Sequence, residues 1–225
     1  MKSIKIEKLN FGYTEEVIIK DLNLHIDSGE MAVLVGENGS GKSTLVKLIL
    51  GELSQKSGSI HILGEDIKTK NSYKEIGYVP QMNIMEKIAF PVTCLELISL
   101  GLYEDFGFIK IPRKRHKEKV IEMLKTMDLE EYQNVPFNEL SGGLQQRVMI
   151  CRSLIHEPKI ILMDEPTSGV DQESKEKFLK LTDEINKKFG ITIILVTHEL
   201  EFVMEILELN HYYKMKNGGV EIVRV

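Results

Sequence analysis

One run in this chain has a spacing that points to chemistry by itself. Gly36-Glu37-Asn38-Gly39-Ser40-Gly41-Lys42-Ser43 fits the pattern GxxxxGK[ST]. Glycines let a backbone curl until successive N–H groups aim inward at phosphate oxygens. Lys42 then brings an ammonium to the β- and γ-phosphates, and Ser43 a hydroxyl that can ligate Mg2+. A second run, Ile160-Ile161-Leu162-Met163-Asp164-Glu165-Pro166, ends an apolar stretch on two carboxylates. Neighbouring side chains on a strand point to different sides, so the pair suits two jobs. Asp164 would hold Mg2+ through its water shell, and Glu165 would orient or deprotonate an attacking water. An isolated Asp-Glu at a strand end reads as two solvated acids; the phosphate loop upstream reverses that reading. Leu140-Ser141-Gly142-Gly143-Leu144-Gln145-Gln146-Arg147 is the third signal. Ser141 is a plausible helix cap, and the two glycines allow close approach of an anion. Taken singly, Gln81 is a loop glutamine and His198 a structural histidine.

These groups need rigid elements to deliver them. Residues 31–35, 160–163 and 191–196 are continuous apolar runs, which fits central parallel strands covered on both faces. The phosphate loop follows the first run and precedes a helical pattern at Leu45, Leu48 and Ile49. A helix starting at Lys42 adds its positive end to the loop. Asp164 and Glu165 end the second run, at the carboxyl edge of the sheet where α/β ligand sites lie. His198 follows the third. Ile4 and Ile6, and Leu22, Leu24 and Ile26, alternate with polar residues as half-buried antiparallel strands of a side sheet do. Ser28-Gly29 turns the chain into the strand at 31–35. Val120, Ile121, Leu124 and Met127 recur at helical spacing with charges opposite. Residues 91–156 carry no strong strand signal and read as a helical insert within one compact unit. Asn217-Gly218-Gly219 predicts a turn between two final strands.

The 225 residues suffice for one well-packed α/β domain and are too few for two in tandem. No uncharged run approaches the roughly 20 apolar residues of a membrane span. Lys2, Lys5, Glu7 and Lys8 interrupt any signal-peptide core, so a link to a membrane is expected through a partner. A net charge of -5 is not the footprint of a general nucleic-acid binder. The one basic cluster, Lys110, Arg113, Lys114, Arg115, Lys117 and Lys119, reads as a solvated helix face, with anionic headgroups or a partner as the alternative. Cys94 and Cys151 stand without a CxxC or a His/Cys cluster. Both read as small buried apolar residues, which suits a reducing cytoplasm.

With these motifs in this order, the sequence resembles the ATP-binding subunits of ABC transporters over about residues 3–205. The resemblance implies a P-loop NTPase (RecA-like) fold: an α/β parallel-sheet core, an antiparallel β side sheet and a helical subdomain at about 91–156, all within one ABC ATPase domain of residues 1–225. It implies ATP held by Tyr13 stacking on adenine and by Gly36, Glu37, Asn38, Gly39, Ser40, Gly41, Lys42, Ser43 and Thr44. It implies Mg2+ at Ser43, Gln81 and Asp164, Glu165 as the catalytic glutamate, and His198 touching the γ-phosphate. It also implies a homodimer, or a pair of ATPase subunits, that sandwiches two ATPs. Each nucleotide would meet one subunit's phosphate loop and the other's Ser141, Gly142 and Gly143, with Asp171 at the dimer interface. Gln81 would report the nucleotide state to a polytopic permease, and the cassette would sit peripherally on the cytoplasmic face of the membrane. One departure stands out: the usual signature is Leu-Ser-Gly-Gly-Gln, and here the fifth residue is Leu144.

Three stretches resemble the zinc and manganese uptake branch: residues 89–97 (Ala89 to Leu97), Gly77-Tyr78-Val79-Pro80-Gln81, and Pro166-Thr167-Ser168-Gly169-Val170-Asp171. That branch implies an extracellular substrate-binding protein in the same system. Cargo does not touch this subunit, so no residue here encodes metal ligation. A transport ATPase for siderophore, lipoprotein or antimicrobial peptide is the alternative. A soluble cassette of translation or DNA repair fits poorly with one cassette, no heptad run and an acidic charge. A nucleotide-binding regulator without turnover fits poorly with intact Glu165 and His198.

Overall fold

The three apolar runs lie side by side. Strands β3 (Met31–Gly36), β8 (Thr192–Thr197) and β7 (Ile160–Asp164) pair in parallel, with Met31 opposite Ile193 and Ile160 opposite Thr192. Strand β6 (Ile76–Val79) extends the sheet in parallel beyond β7, and β9 (His211–Lys216) pairs in parallel with β3 on the other side. Strand β10 (Gly219–Arg224) returns antiparallel to β9. The hairpin turns at Asn217 and Gly218, with φ of 51° and 78°, the left-handed pair that suits a two-residue turn. The order is therefore β10-β9-β3-β8-β7-β6. A second sheet, ordered β2-β1-β4-β5, is antiparallel throughout and is built from β1 (Lys2–Phe11), β2 (Ile19–Asp27), β4 (Ser57–Ile62) and β5 (Glu65–Asp66). This computed structural model describes residues 2–69, 73–81, 91–108 and 110–225. Ala89 and Phe90, which open one stretch of the metal-uptake resemblance, lie outside the described residues.

The period of two along each central strand divides the interior into two cores. Ala32 and Leu34, Ile160 and Leu162, Ile194 and Val196 face helix α1 (Lys42–Ile49) and the antiparallel sheet. Val33 and Val35, Ile161 and Met163, Ile193 and Leu195 face the opposite side. There they meet α2 (Cys94–Ser99), α3 (Lys114–Thr126), α4 (Gly142–Leu154), α5 (Gln172–Phe189) and α6 (Leu200–Ile206). Apolar runs without alternation thus arise because both faces are covered. Each fully buried Ile or Leu contributes about 2 kcal/mol. All five residues of β7 are buried, so the strand that ends at Asp164 is held from both sides.

Local signals set the helix ends. Thr93 and Glu96 form a reciprocal capping box at α2, with Thr93 N–H donating to Glu96 Oε2 at 2.9 Å. Gly190 ends α5 in the left-handed conformation. Of the basic cluster, Arg113, Lys114, Arg115 and Lys117 are exposed, while Val120 and Leu124 of α3 are buried. Cys94 and Cys151 are fully buried, and burial pushes their thiols up to about 11 and about 12, which leaves them unreactive near neutral pH. Among the described residues, no helix is long and apolar enough to cross a membrane.

Candidate active site

The phosphate loop curls between β3 and α1. Gly41 precedes the helix at φ 99°, a left-handed conformation that strains any residue with a Cβ. A Cβ there would also stand 2.9 Å from Met215 Cε and 3.1 Å from Ile18 Cγ2. The neighbouring strand and the chain before β2 therefore brace the loop from outside. Lys42 is buried, and its ammonium donates to the carbonyls of Gly36 at 2.8 Å and Glu37 at 3.0 Å. Those two bonds tie the ammonium across the loop it serves. Glu37, Asn38 and Gly39 are exposed at the tip, where Ser40 N–H donates to Glu37 O at 3.1 Å. Tyr13 is 58% exposed, packs edge-on against Phe11, and reaches Thr44 Oγ1 with its hydroxyl at 3.5 Å. Its ring is thus held near the start of α1 with a face open.

Across the sheet from the loop stand the two carboxylates. The Ser43 hydroxyl donates to Asp164 Oδ1 at 3.4 Å. Asp164 is 8% exposed, and its burial pushes the carboxyl above the usual range, a shift that the Ser43 hydrogen bond opposes. A hydroxyl and a poorly compensated buried carboxylate are hard oxygen donors, which is what Mg2+ takes. Glu165 follows β7 at φ 45°, with its N–H donating to Val196 O at 2.9 Å. Its two oxygens meet different partners: Gln81 Nε2 lies 3.4 Å from Oε2, and His198 Nδ1 lies 3.4 Å from Oε1. Residues from three separate strand ends thus converge on one carboxylate.

The matching family is the ABC transporter, over residues 19–168. The chain belongs to the ABC transporter family. This cassette is 36% identical over 213 residues to the zinc uptake system ATP-binding protein ZurA of Listeria innocua, covering 93% of this chain and 83% of that protein. It is 33% identical over 226 residues to the manganese transport system ATP-binding protein MntB of Bacillus subtilis, covering 99% and 89%. Among solved structures, it is similar to a dimeric ATP-binding cassette in a post-hydrolysis state with bound ADP and Pi. That likeness has a TM-score of 0.79 at 29% identity and covers 98% of both chains. The cassette is an ATP-binding subunit of the transporter type and an ATPase, and its P-loop fold is the one expected from the motifs.

Not every expected site residue joins the cluster. Ser141, Gly142 and Gly143 sit at the start of α4, where the two glycines lie against Val170 and Ser174 on either side of Asp171 in the chain. A Cβ on Gly142 would meet Val170 at 3.5 Å, and one on Gly143 would stand 2.9 Å from Ser174 Oγ. Among the described residues, no hydrogen bond joins these three to residues 36–44. The expectation that Ser141 caps α4 needs correction. Its backbone takes the cap conformation and its carbonyl accepts Gln145 N–H at 2.9 Å, but its hydroxyl makes no capping bond. The helix starts from backbone bonding alone, and the exposed hydroxyl stays available. Asp171 caps α5 instead, accepting Ser174 N–H at 3.0 Å, and that bond holds its carboxyl below the usual range. Leu144 packs against the helical-side core.

Sequence reasoning passed over Gln146. It is 1% exposed and donates through Nε2 to Pro166 O at 2.7 Å, tying α4 to the residue after Glu165. Gln145 and Arg147 flank it, so no local pattern marked it as a buried amide.

Proposed function

We propose that this cassette binds ATP with Mg2+ and hydrolyses it with Glu165 as the base that orients the attacking water. The convergence of Gln81 and His198 on the Glu165 carboxylate, beside the Ser43 and Asp164 pair, carries this reading. Tyr13 stacks on adenine. Gly36, Glu37, Asn38, Gly39, Ser40, Gly41 and Thr44 surround the phosphates, and Lys42 neutralises their charge. Ser43, Asp164 and Gln81 would hold Mg2+, and Gln81 Nε2 is turned to Glu165. Bound there, Mg2+ would supply Lewis-acid stabilisation of charge on the β- and γ-phosphates. His198 contacts the γ-phosphate. Gln81 and His198 each hold one oxygen of Glu165, which fixes the orientation of the base before water arrives.

The site is completed by a second copy. Ser141, Gly142 and Gly143 of that copy bring a hydroxyl and a positive helix end to the nucleotide, and Asp171 lies in the interface. The likeness to a dimeric cassette with bound ADP and Pi supports this arrangement. The chain acts as one ABC ATPase domain, with residues 91–156 as its helical subdomain. It works on the cytoplasmic face of the membrane through a polytopic permease, with a substrate-binding protein outside and no nucleic-acid partner. The cargo is a divalent metal, zinc or manganese; the zinc and manganese relatives support this.

Two measurements test the reading. Glu165→Gln should bind ATP, dimerise, and lose about a thousandfold in turnover, the middle of the range for a positioned base. Wild-type turnover in that variant would remove Glu165 from its role. Deleting the gene should slow growth under zinc or manganese starvation, and normal growth there would overturn the metal cargo.

A further inference from the structure

The His198 imidazole is half exposed and has a single polar contact among the described residues, Glu165 Oε1. Its position must come from the backbone on either side. On one side stands Thr197, the buried last residue of β8. Its hydroxyl oxygen accepts Glu199 N–H at 3.0 Å. On the other side stands Glu199, whose carboxylate accepts the Lys175 ammonium of α5 at 2.5 Å.

This ion pair differs from the others on its helix. Lys177 with Glu173, Lys180 with Glu176 and Lys187 with Asp183 are all i,i+4 pairs with lysines at least 60% exposed. Pairs of that kind are screened by water and hold nothing in place. Lys175 and Glu199 are only 17% and 28% exposed, and their bond joins two elements 24 residues apart. Lys175 also sits where α5 begins. Its N–H donates to the carbonyl of Asp171 at 3.0 Å, and its neighbour Ser174 stands against Gly143 of α4.

We propose that the Lys175 and Glu199 ion pair positions His198 against Glu165 and couples that histidine to the start of α5. A shift of α5, which carries Asp171 at its cap, then moves the His198 loop with it. Lys175 and Glu199 act through His198 and touch no nucleotide. The inference rests on the roles given above to Glu165 and His198.

The test is steady-state ATP turnover by the full-length protein carrying Lys175→Met, Glu199→Gln, or the exchanged pair Lys175→Glu with Glu199→Lys. Thermal unfolding is recorded for each. A misplaced catalytic group costs rate rather than binding, so each single variant should lose about tenfold in kcat with KM for ATP within about twofold. The exchanged pair should recover most of the loss at an unchanged unfolding temperature. An unaltered kcat in both single variants overturns the proposal. So does a loss that the exchanged pair leaves in place while it unfolds at the wild-type temperature. His198→Ala serves as the control: if it turns over at the wild-type rate, the reading of the site itself fails, whatever the ion pair does.

Discussion

The phosphate-loop end of the sheet and the start of α4 are both built around glycines, yet they are finished differently. At the first, side chains bond inward. Lys42 binds its own loop, Ser43 binds Asp164, and Gln81 and His198 bind Glu165. At the second, Ser141 keeps its hydroxyl unused at an exposed helix start. One region is arranged for a ligand by the chain that contains it. The other presents donors with no acceptor of its own. A half-site that faces outward is what a twofold-symmetric pair requires, since each copy then supplies what the other lacks.

That contrast can be broken by mixing. Lys42→Ala and Ser141→Arg should each lower turnover at least about a hundredfold, as loss of a phosphate-directed donor does. Combined in equal amounts, they form dimers in which one site has both halves intact and the other neither. Turnover should return toward about a quarter of wild type, the statistical share for symmetric pairing. No recovery, with dimers verified by light scattering, would place both regions in one chain's own site.

Asp164 sharpens the inward side. Its carboxyl is buried and raised above its ordinary 3.8. A carboxyl raised on folding contributes stability below its unfolded pKa and loses it as pH climbs through the folded value. At neutral pH the anion is therefore a cost, which the Mg2+ proposed to sit there would offset. Asp164→Asn should raise the unfolding temperature without nucleotide or Mg2+ by about 3 °C at pH 7, an effect on the order of 1 kcal/mol in a domain of this size. The gap should narrow as pH falls toward 4, and turnover should be lost. Calorimetry across pH checks the sign: a variant less stable at neutral pH contradicts it. The smallest effect belongs to the outward side. Leu144→Gln restores the family residue but removes an apolar contact with the core. It should lower the unfolding temperature by about 2 °C, under about 1 kcal/mol, and leave turnover within threefold. A large gain in turnover would mean that Leu144 limits the rate.

The parts legible in the sequence were those whose chemistry is contiguous. The phosphate loop, the Asp164 and Glu165 pair and the three both-faced strands each announce themselves within ten residues. The alternation of Ile4 and Ile6, and of Leu22, Leu24 and Ile26, with polar residues is enough to anticipate an antiparallel side sheet. What escaped depends on distance along the chain. Nothing local says that β9 adds in parallel to β3 and lays Met215 against Gly41, 174 positions earlier. Gln146 and Pro166, or Lys175 and Glu199, become partners only after the helices pack. Ser141 was misjudged because a serine before a helix satisfies the composition rule for a cap, while the side chain remains free to turn away.

Glu165 holds its backbone at φ 45°, where a residue with a Cβ is under strain. The relaxed choices there are glycine and asparagine. Selection for thermal resistance alone would therefore drift toward those two at position 165 and, with Glu165 in the role proposed above, yield a sturdier protein that spends no nucleotide. Glu165 sits against a local gradient in stability, so thermostabilised libraries of this cassette should be screened for turnover in the same round.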